Sequence, residues 1–193
     1  MIDDVLAAEL IGLAAEDQRV RSELAADGSL FDGYHPRMEA VHRHNAARLA
    51  EIIARVGWPG DDIVGAEGSA AAWLIAQHAI GEPDFQRSCL AALERAAERG
   101  AVPAWQPAML DDRIRVFEGR LQRYGTQLEV GADGSLAPHP IEDADGVEAR
   151  RARVGLEPLA ERLAKAGRVP PPADRAEFQR GYERWLRETG WRR

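Results

Sequence analysis

The chain is predicted to be mainly α-helical: a bundle-like domain with one small β-hairpin and a C-terminal helical extension. Three observations carry this. Apolar residues recur at helical spacing through most of the first 122 positions. One stretch, 126–141, alternates with period two around a turn signal, Asp133-Gly134. A rigid Pro170-Pro171-Pro172 run sets off a last amphipathic segment. The expected organisation is a single domain over residues 1–167 with its hairpin near 126–141, then a linker and helix over 168–193.

The elements follow in order. Residues 3–26 place Leu6, Leu10, Leu13, Val20 and Leu24 on one helical stripe, and Asp27-Gly28 and Asp32-Gly33 mark a loop. Residues 37–56 carry Val41, Leu49, Ile52, Ile53 and Val56 on an apolar face, and Gly57 stops that helix. After Trp58-Pro59-Gly60, residues 66–80 form a third helix whose middle, Ala70 to Ala76, is apolar all round, as in a central buried helix. Pro83 opens a fourth helix running to about Arg99. A fifth is expected over 104–122. Thr126–Val130 and Ser135–Ile141 make the hairpin, with Pro138 and Pro140 confining the return strand to an edge. Asp145 with Glu148 reads as the cap of a helix ending at Gly155. Pro158 opens another, ending at Gly167, and residues 174–189 form the last.

Composition bounds the function. A net charge of −7 argues against a nucleic-acid partner, which would need a basic face. No apolar run approaches a membrane span, and the acidic start, Ile2-Asp3-Asp4, is unlike a secretory leader. Cys89 is the single cysteine, so neither an intrachain disulfide nor a thiolate cluster can form. It lies between Phe85 and Leu93 on a helical stripe and reads as a core residue. These features point to the cytoplasm.

The anomaly is polar side chains on apolar stripes. Asp17 sits between Leu13 and Val20, Asn45 between Val41 and Leu49, Arg113 between Leu110 and Phe117, and Gln77 four residues after Trp73. A buried polar group without a partner costs about 1–3 kcal/mol, so these groups should meet one another, a water or a ligand. Several helices each supplying an inward polar group is how bundles build internal sites. It is equally how a satisfied network fixes helix register. His78 follows Gln77 near the end of the buried helix. With a carboxylate such as Asp17 or Asp112 beside it, it suits a general acid or base, although a core histidine bonded to a carbonyl would look the same.

Other chemistry is not indicated. His42 and His44, two residues apart, do not share a helix face. There is no HExxH pair, so no metal is expected, and without a phosphate-binding or dinucleotide loop no cofactor is expected. The run Arg150, Arg151, Arg153 reads as a solvated face that could bind anions beside a pocket.

The segments Asn45-Ala46-Ala47-Arg48-Leu49, Gly57-Trp58-Pro59, Ala71 to Ala79 with its Gln77-His78, Asp112-Arg113 and Gln122-Arg123-Tyr124-Gly125-Thr126-Gln127 resemble a bacterial family, domain-of-unknown-function family 6624. So do Pro140-Ile141-Glu142-Asp143 and Arg150-Arg151 with Gly155-Leu156; the resemblance covers roughly residues 10–164. It brings no activity. It implies that Asn45, Gln77, His78, Asp112, Arg113, Gln122, Tyr124, Thr126 and Gln127 belong to the family's motifs, which overlap the polar-in-core set.

Two function classes follow. One is a small enzyme or small-molecule- or peptide-binding domain. Its polar pocket would lie between helices 66–80 and 104–122 and the strand at Thr126. There His78, Asp112 and Asp17 would move protons, while Asn45, Gln77, Arg113, Gln122, Tyr124, Thr126 and Gln127 would hold the ligand. His78, Asp112 and Gln127 are expected to face one cavity. The other class is a non-catalytic interaction protein whose polar core only fixes the fold. Phe178, Tyr182, Trp185 and Leu186 share one face of the last helix. That stripe should dock on its own domain or on a second copy.

Overall fold

The computed structural model describes residues 2–31 and 33–193, so Asp32, part of the first loop signal, lies outside the described residues. The described chain is mainly helical with one two-stranded hairpin, as the sequence predicts. It divides into two compact units, Met1–Val102 and Pro103–Arg193, and the C-terminal helix belongs to the second. No helix among the described residues is long and apolar enough to cross a membrane.

Among the described residues the first unit holds four α-helices: α1 (Asp4–Asp27), α2 (Pro36–Val56), α3 (Asp61–His78) and α4 (Pro83–Glu98). Asp3 caps α1 by accepting the Leu6 N–H at 2.9 Å, and Gly28 closes it at φ 85°. Pro36 occupies the first turn of α2, where its missing N–H has no intrahelical acceptor to lose. The buried face of α1, with Leu6, Leu10, Val20 and Leu24, packs on α3 and α2. Val20, Leu24 and Met38 form a cluster covered by Leu30, Tyr34 and Val41. Arg48 of α2 pairs with Glu9 of α1 at the unit's surface.

α3 begins at Asp61 but is interrupted at Gly65 (φ 69°, ψ 173°), so the regular helix starts at the predicted position, Ala66. It stops at His78, two residues before the predicted end. Burial is less complete than expected: Ala71, Ala72, Ile75 and Ala76 are buried, while Ala70 is exposed and Trp73 half-buried. At Gly68, an added Cβ would lie 2.8 Å from Val64 Cβ and 3.2 Å from the Cα of Ala7. The absence of a side chain there is what lets the α1 backbone approach α3.

The second unit contains α5 (Trp105–Phe117), the antiparallel strands β1 (Leu128–Val130) and β2 (Leu136–Pro138), α6 (Val147–Arg153), α7 (Leu159–Ala166) and α8 (Arg175–Glu188). Leu128 pairs with Pro138 and Val130 with Leu136. The predicted fifth helix was too long. It ends at Phe117, where Gly119 turns at φ 76°, and Gln122 instead pairs in extended form with Ile141. Asp145 does not cap α6 either: it lies inside a 3-10 turn, Ala144–Gly146, that leads into the helix.

The last helix packs on its own unit. Asp174 caps α8 by accepting the Glu177 N–H at 2.8 Å. Leu186 and Trp191 are buried, and Phe117 of α5 meets Trp185 edge-on at 5.6 Å and Trp191 at 5.0 Å. Arg192 donates to the carbonyls of Phe117 and Val116, at 2.8 and 2.9 Å, satisfying the open end of α5. Phe178, expected on the same docked stripe, stays 53 % exposed.

Candidate functional site

Within the first unit, three helices bring Asp17 of α1, His42 of α2 and His78 of α3 together. Both carboxylate oxygens of Asp17 face an imidazole. Oδ1 lies 2.8 Å from His78 Nδ1 in a hydrogen bond, and Oδ2 lies 3.1 Å from His42 Nε2. The second pair approaches without the alignment of a hydrogen bond, and neither Oδ2 nor Nε2 has another partner among the described residues. The other nitrogen of His42, Nδ1, meets the Tyr34 hydroxyl at 2.8 Å. The Tyr34 and His42 rings stack at 5.7 Å, and the His42 and His78 rings are tilted at 5.5 Å.

Burial grades across this cluster. The Asp17 and His42 side chains are 1 % and 7 % exposed, whereas His78 is 24 % exposed and forms the open side. Asn45, one turn below His42, donates to the carbonyl of Leu13 at 3.1 Å and ties α2 to α1. Gln86 of α4 donates to the Ala76 carbonyl at 2.7 Å and more weakly to that of Gln77. It thereby anchors the end of α3 that presents His78. Gln77 is itself buried beside this contact.

Burial tends to raise the Asp17 carboxyl, but the two imidazoles outweigh it and bring it down from 3.8 to about 2. A carboxyl lower in the folded state than in the unfolded one stabilises the fold fully above the unfolded value. That contribution is lost as pH falls through the folded value. The unit is therefore expected to lose roughly 2 kcal/mol between the ordinary aspartate range and pH 2. Comparing stability against pH for the parent and Asp17→Asn checks this: the substitution should flatten that acid limb, and an unchanged limb would refute the assignment.

The second unit gathers the other predicted residues around Asp112, which is fully buried. Its Oδ1 accepts the N–H groups of Arg123 at 2.6 Å and Tyr124 at 3.1 Å. Its Oδ2 accepts from Tyr124 N–H at 3.1 Å and from the N–H and hydroxyl of Thr126, both at 3.0 Å. A carboxylate offers about four lone-pair sites, so these donors fill it. Burial pushes its carboxyl upward, and the donors only partly offset this. Gln122, also fully buried, donates to the carbonyls of Gln127 and His139 at 3.1 and 2.7 Å, and accepts the Gln127 N–H at 3.0 Å. Arg113 reaches Gln127 Oε1 at 3.4 Å, and burial lowers its guanidinium to about 10, with Tyr182 of α8 opposing the shift.

Of the arginine run only Arg153 is solvated. Arg151 is buried and donates to the carbonyls of Tyr124 at 2.6 Å and Glu157 at 2.7 Å, and Arg150 donates to that of Arg123 at 2.8 Å. Gly125 turns the loop at φ 69°, where a Cβ would come within 3.0 Å of Ile141.

A profile describing a family of unknown function matches residues 4–167. The chain belongs to this family, DUF6624. No curated protein and no solved structure matches the chain. The DUF6624 match covers both polar clusters and ends just before the proline linker, so α8 lies outside it.

The structure thus places Asp17, Asn45, Gln77 and His78 in the first unit, with Asp17 on His78. It places Asp112, Arg113, Gln122, Tyr124, Thr126 and Gln127 in the second, around the Tyr124-Gly125-Thr126-Gln127 loop. His42, Tyr34 and Gln86 went unrecognised in the DUF6624 sequence. The signal for His42 was present: Met38, His42, Asn45, Leu49 and Ile52 are spaced four, three, four and three, and all are buried.

Proposed function

We propose that Asp17, His42 and His78 form the working site of this DUF6624 protein, and that the protein is a small cytoplasmic enzyme or ligand-binding domain that moves protons there. One observation carries the reading: a buried carboxylate holds Nδ1 of His78, a side chain 24 % exposed, and leaves Nε2 outside that bond. That arrangement fixes the tautomer and ring orientation of a general base. His42, backed by the Tyr34 hydroxyl, braces the second oxygen of Asp17. Asn45 and Gln77 border the cluster and are the residues of this unit suited to hold a ligand.

For the second unit, the filled hydrogen-bonding capacity of Asp112 supports a structural role. Gln122, Thr126 and Gln127 share that loop network, and with Arg113 and Tyr124 they would bind ligand only through groups the network leaves over.

The test is a screen of the purified protein against activated ester, amide and phosphoester substrates, followed by variants of any turnover found. His78→Gln should lower kcat by roughly 100-fold or more, the range of general acid–base catalysis, in protein that circular dichroism shows to be folded. Turnover equal to the parent in both His78→Gln and Asp17→Asn would defeat the proposal.

A further inference from the structure

We infer that the Asp17–His42–His78 cluster is a site for a divalent transition-metal ion of the zinc class. The inference rests on the preceding reading only in taking this cluster as the working site. Three donors from three separate helices converge with all ligand atoms within 4.8 Å of one another. An ion held at 2.0–2.2 Å by tetrahedral ligands sets its donor atoms roughly 3.4 Å apart. Here Asp17 Oδ2 and His42 Nε2 are 3.1 Å apart, and Asp17 Oδ1 and His78 Nδ1 are 2.8 Å apart. A slight opening of the cluster would admit the ion.

A second observation is the contact between Oδ2 of Asp17 and Nε2 of His42, which face one another at 3.1 Å as an ion pair whose alignment falls short of a hydrogen bond. A cation between them would take both atoms as ligands. The outer partner is also in place: a metal-ligating histidine normally engages its second nitrogen, and His42 Nδ1 meets the Tyr34 hydroxyl at 2.8 Å.

The donor set names the ion class. Two imidazole nitrogens and one carboxylate suit zinc or ferrous iron, whereas magnesium and calcium take oxygen ligands. Ligation needs neutral rings with a lone pair facing the ion. The proton then sits on His42 Nδ1, beside the Tyr34 oxygen, and on His78 Nε2. Three protein ligands and an open side at His78 match a site that keeps a position for water or substrate, rather than a closed structural site.

The experiment uses the tag-free full chain, stripped with chelator and titrated with Zn²⁺ by calorimetry and with Co²⁺ by visible absorption. One ion per chain is expected, with cobalt bands of a low-coordinate nitrogen–oxygen site. Asp17→Asn, His42→Gln and His78→Gln should each weaken binding by more than about 100-fold. Tyr34→Phe should weaken it by roughly 10-fold, as outer-shell losses do. Absence of stoichiometric binding, or binding that survives both histidine substitutions, overturns the inference. These readouts need no substrate. If the stripped protein binds no ion while His78→Gln still abolishes a turnover measured in chelator, the metal site falls and the proton-transfer reading stands. If ion binding is lost in the variants but turnover is not, the reverse holds.

Discussion

Replacing Asp112 with alanine is expected to destabilise the second unit by about 4 kcal/mol, the sum of several buried donors each left unsatisfied at about 1–3 kcal/mol. Asp112 accepts the backbone N–H groups of Arg123, Tyr124 and Thr126 and the Thr126 hydroxyl, at a position with no exposure. For a unit near 100 residues this corresponds to a fall of roughly 15 °C or more in melting temperature. Asp112→Asn keeps the volume but turns an NH₂ toward N–H donors, so it should recover little of the loss. Amide exchange at Arg123, Tyr124 and Thr126 gives the local readout and should accelerate in both variants. A change in unfolding free energy below about 1 kcal/mol would show that the loop is held by something else.

The second large effect is expected at Trp191. It is buried against Phe117 at 5.0 Å, and its backbone N–H donates to the Leu186 carbonyl at 2.9 Å, folding the chain end back over α8. Trp191→Ala should cost about 3 kcal/mol, at the lower end for removing a buried aromatic. Deleting residues 168–193 should cost more, because Arg192 then no longer closes the end of α5. Phe178→Ala is the control: its ring is 53 % exposed, and the change should stay within about 0.5 kcal/mol. Equal melting of the deletion and the parent would mean that α8 contributes nothing to its unit.

The helices whose apolar residues keep a period near 3.6 were legible in the sequence. α1, α2, α4 and α8 lie close to where their stripes and caps put them, because burying such a stripe is what holds a helix in water. The end of α5 was not legible. Leu121 and Gln122 continue the helical spacing, yet one positive-φ glycine outweighs it and sends Gln122 to pair with Ile141. Two of the three residues of the first cluster were foreseeable: Asp17 as a polar group on an apolar stripe, and His78 as the histidine near the end of the buried helix. His42 is masked in the sequence by the nearby His44, although its buried neighbours three and four positions away share its helix face. The clamp at Asp112 could not be read from residue types. Its partners are backbone amides 11 to 14 positions downstream, which every residue but proline carries.

The close approach at Gly68 reaches further than its own neighbourhood. α1 and α3 run side by side in the same direction: Asp3 bonds to Ile63, Ala7 lies against Gly68, and Asp17 meets His78. The tight crossing and the carboxylate–imidazole pair are ten residues apart on both helices, roughly 15 Å of rise. The two rods are hinged at one end and latched at the other. The glycine is the fulcrum, and any side chain added there would be felt as a change of gap at the latch, where ångström differences decide whether two rings and a carboxylate close on one another or on something between them.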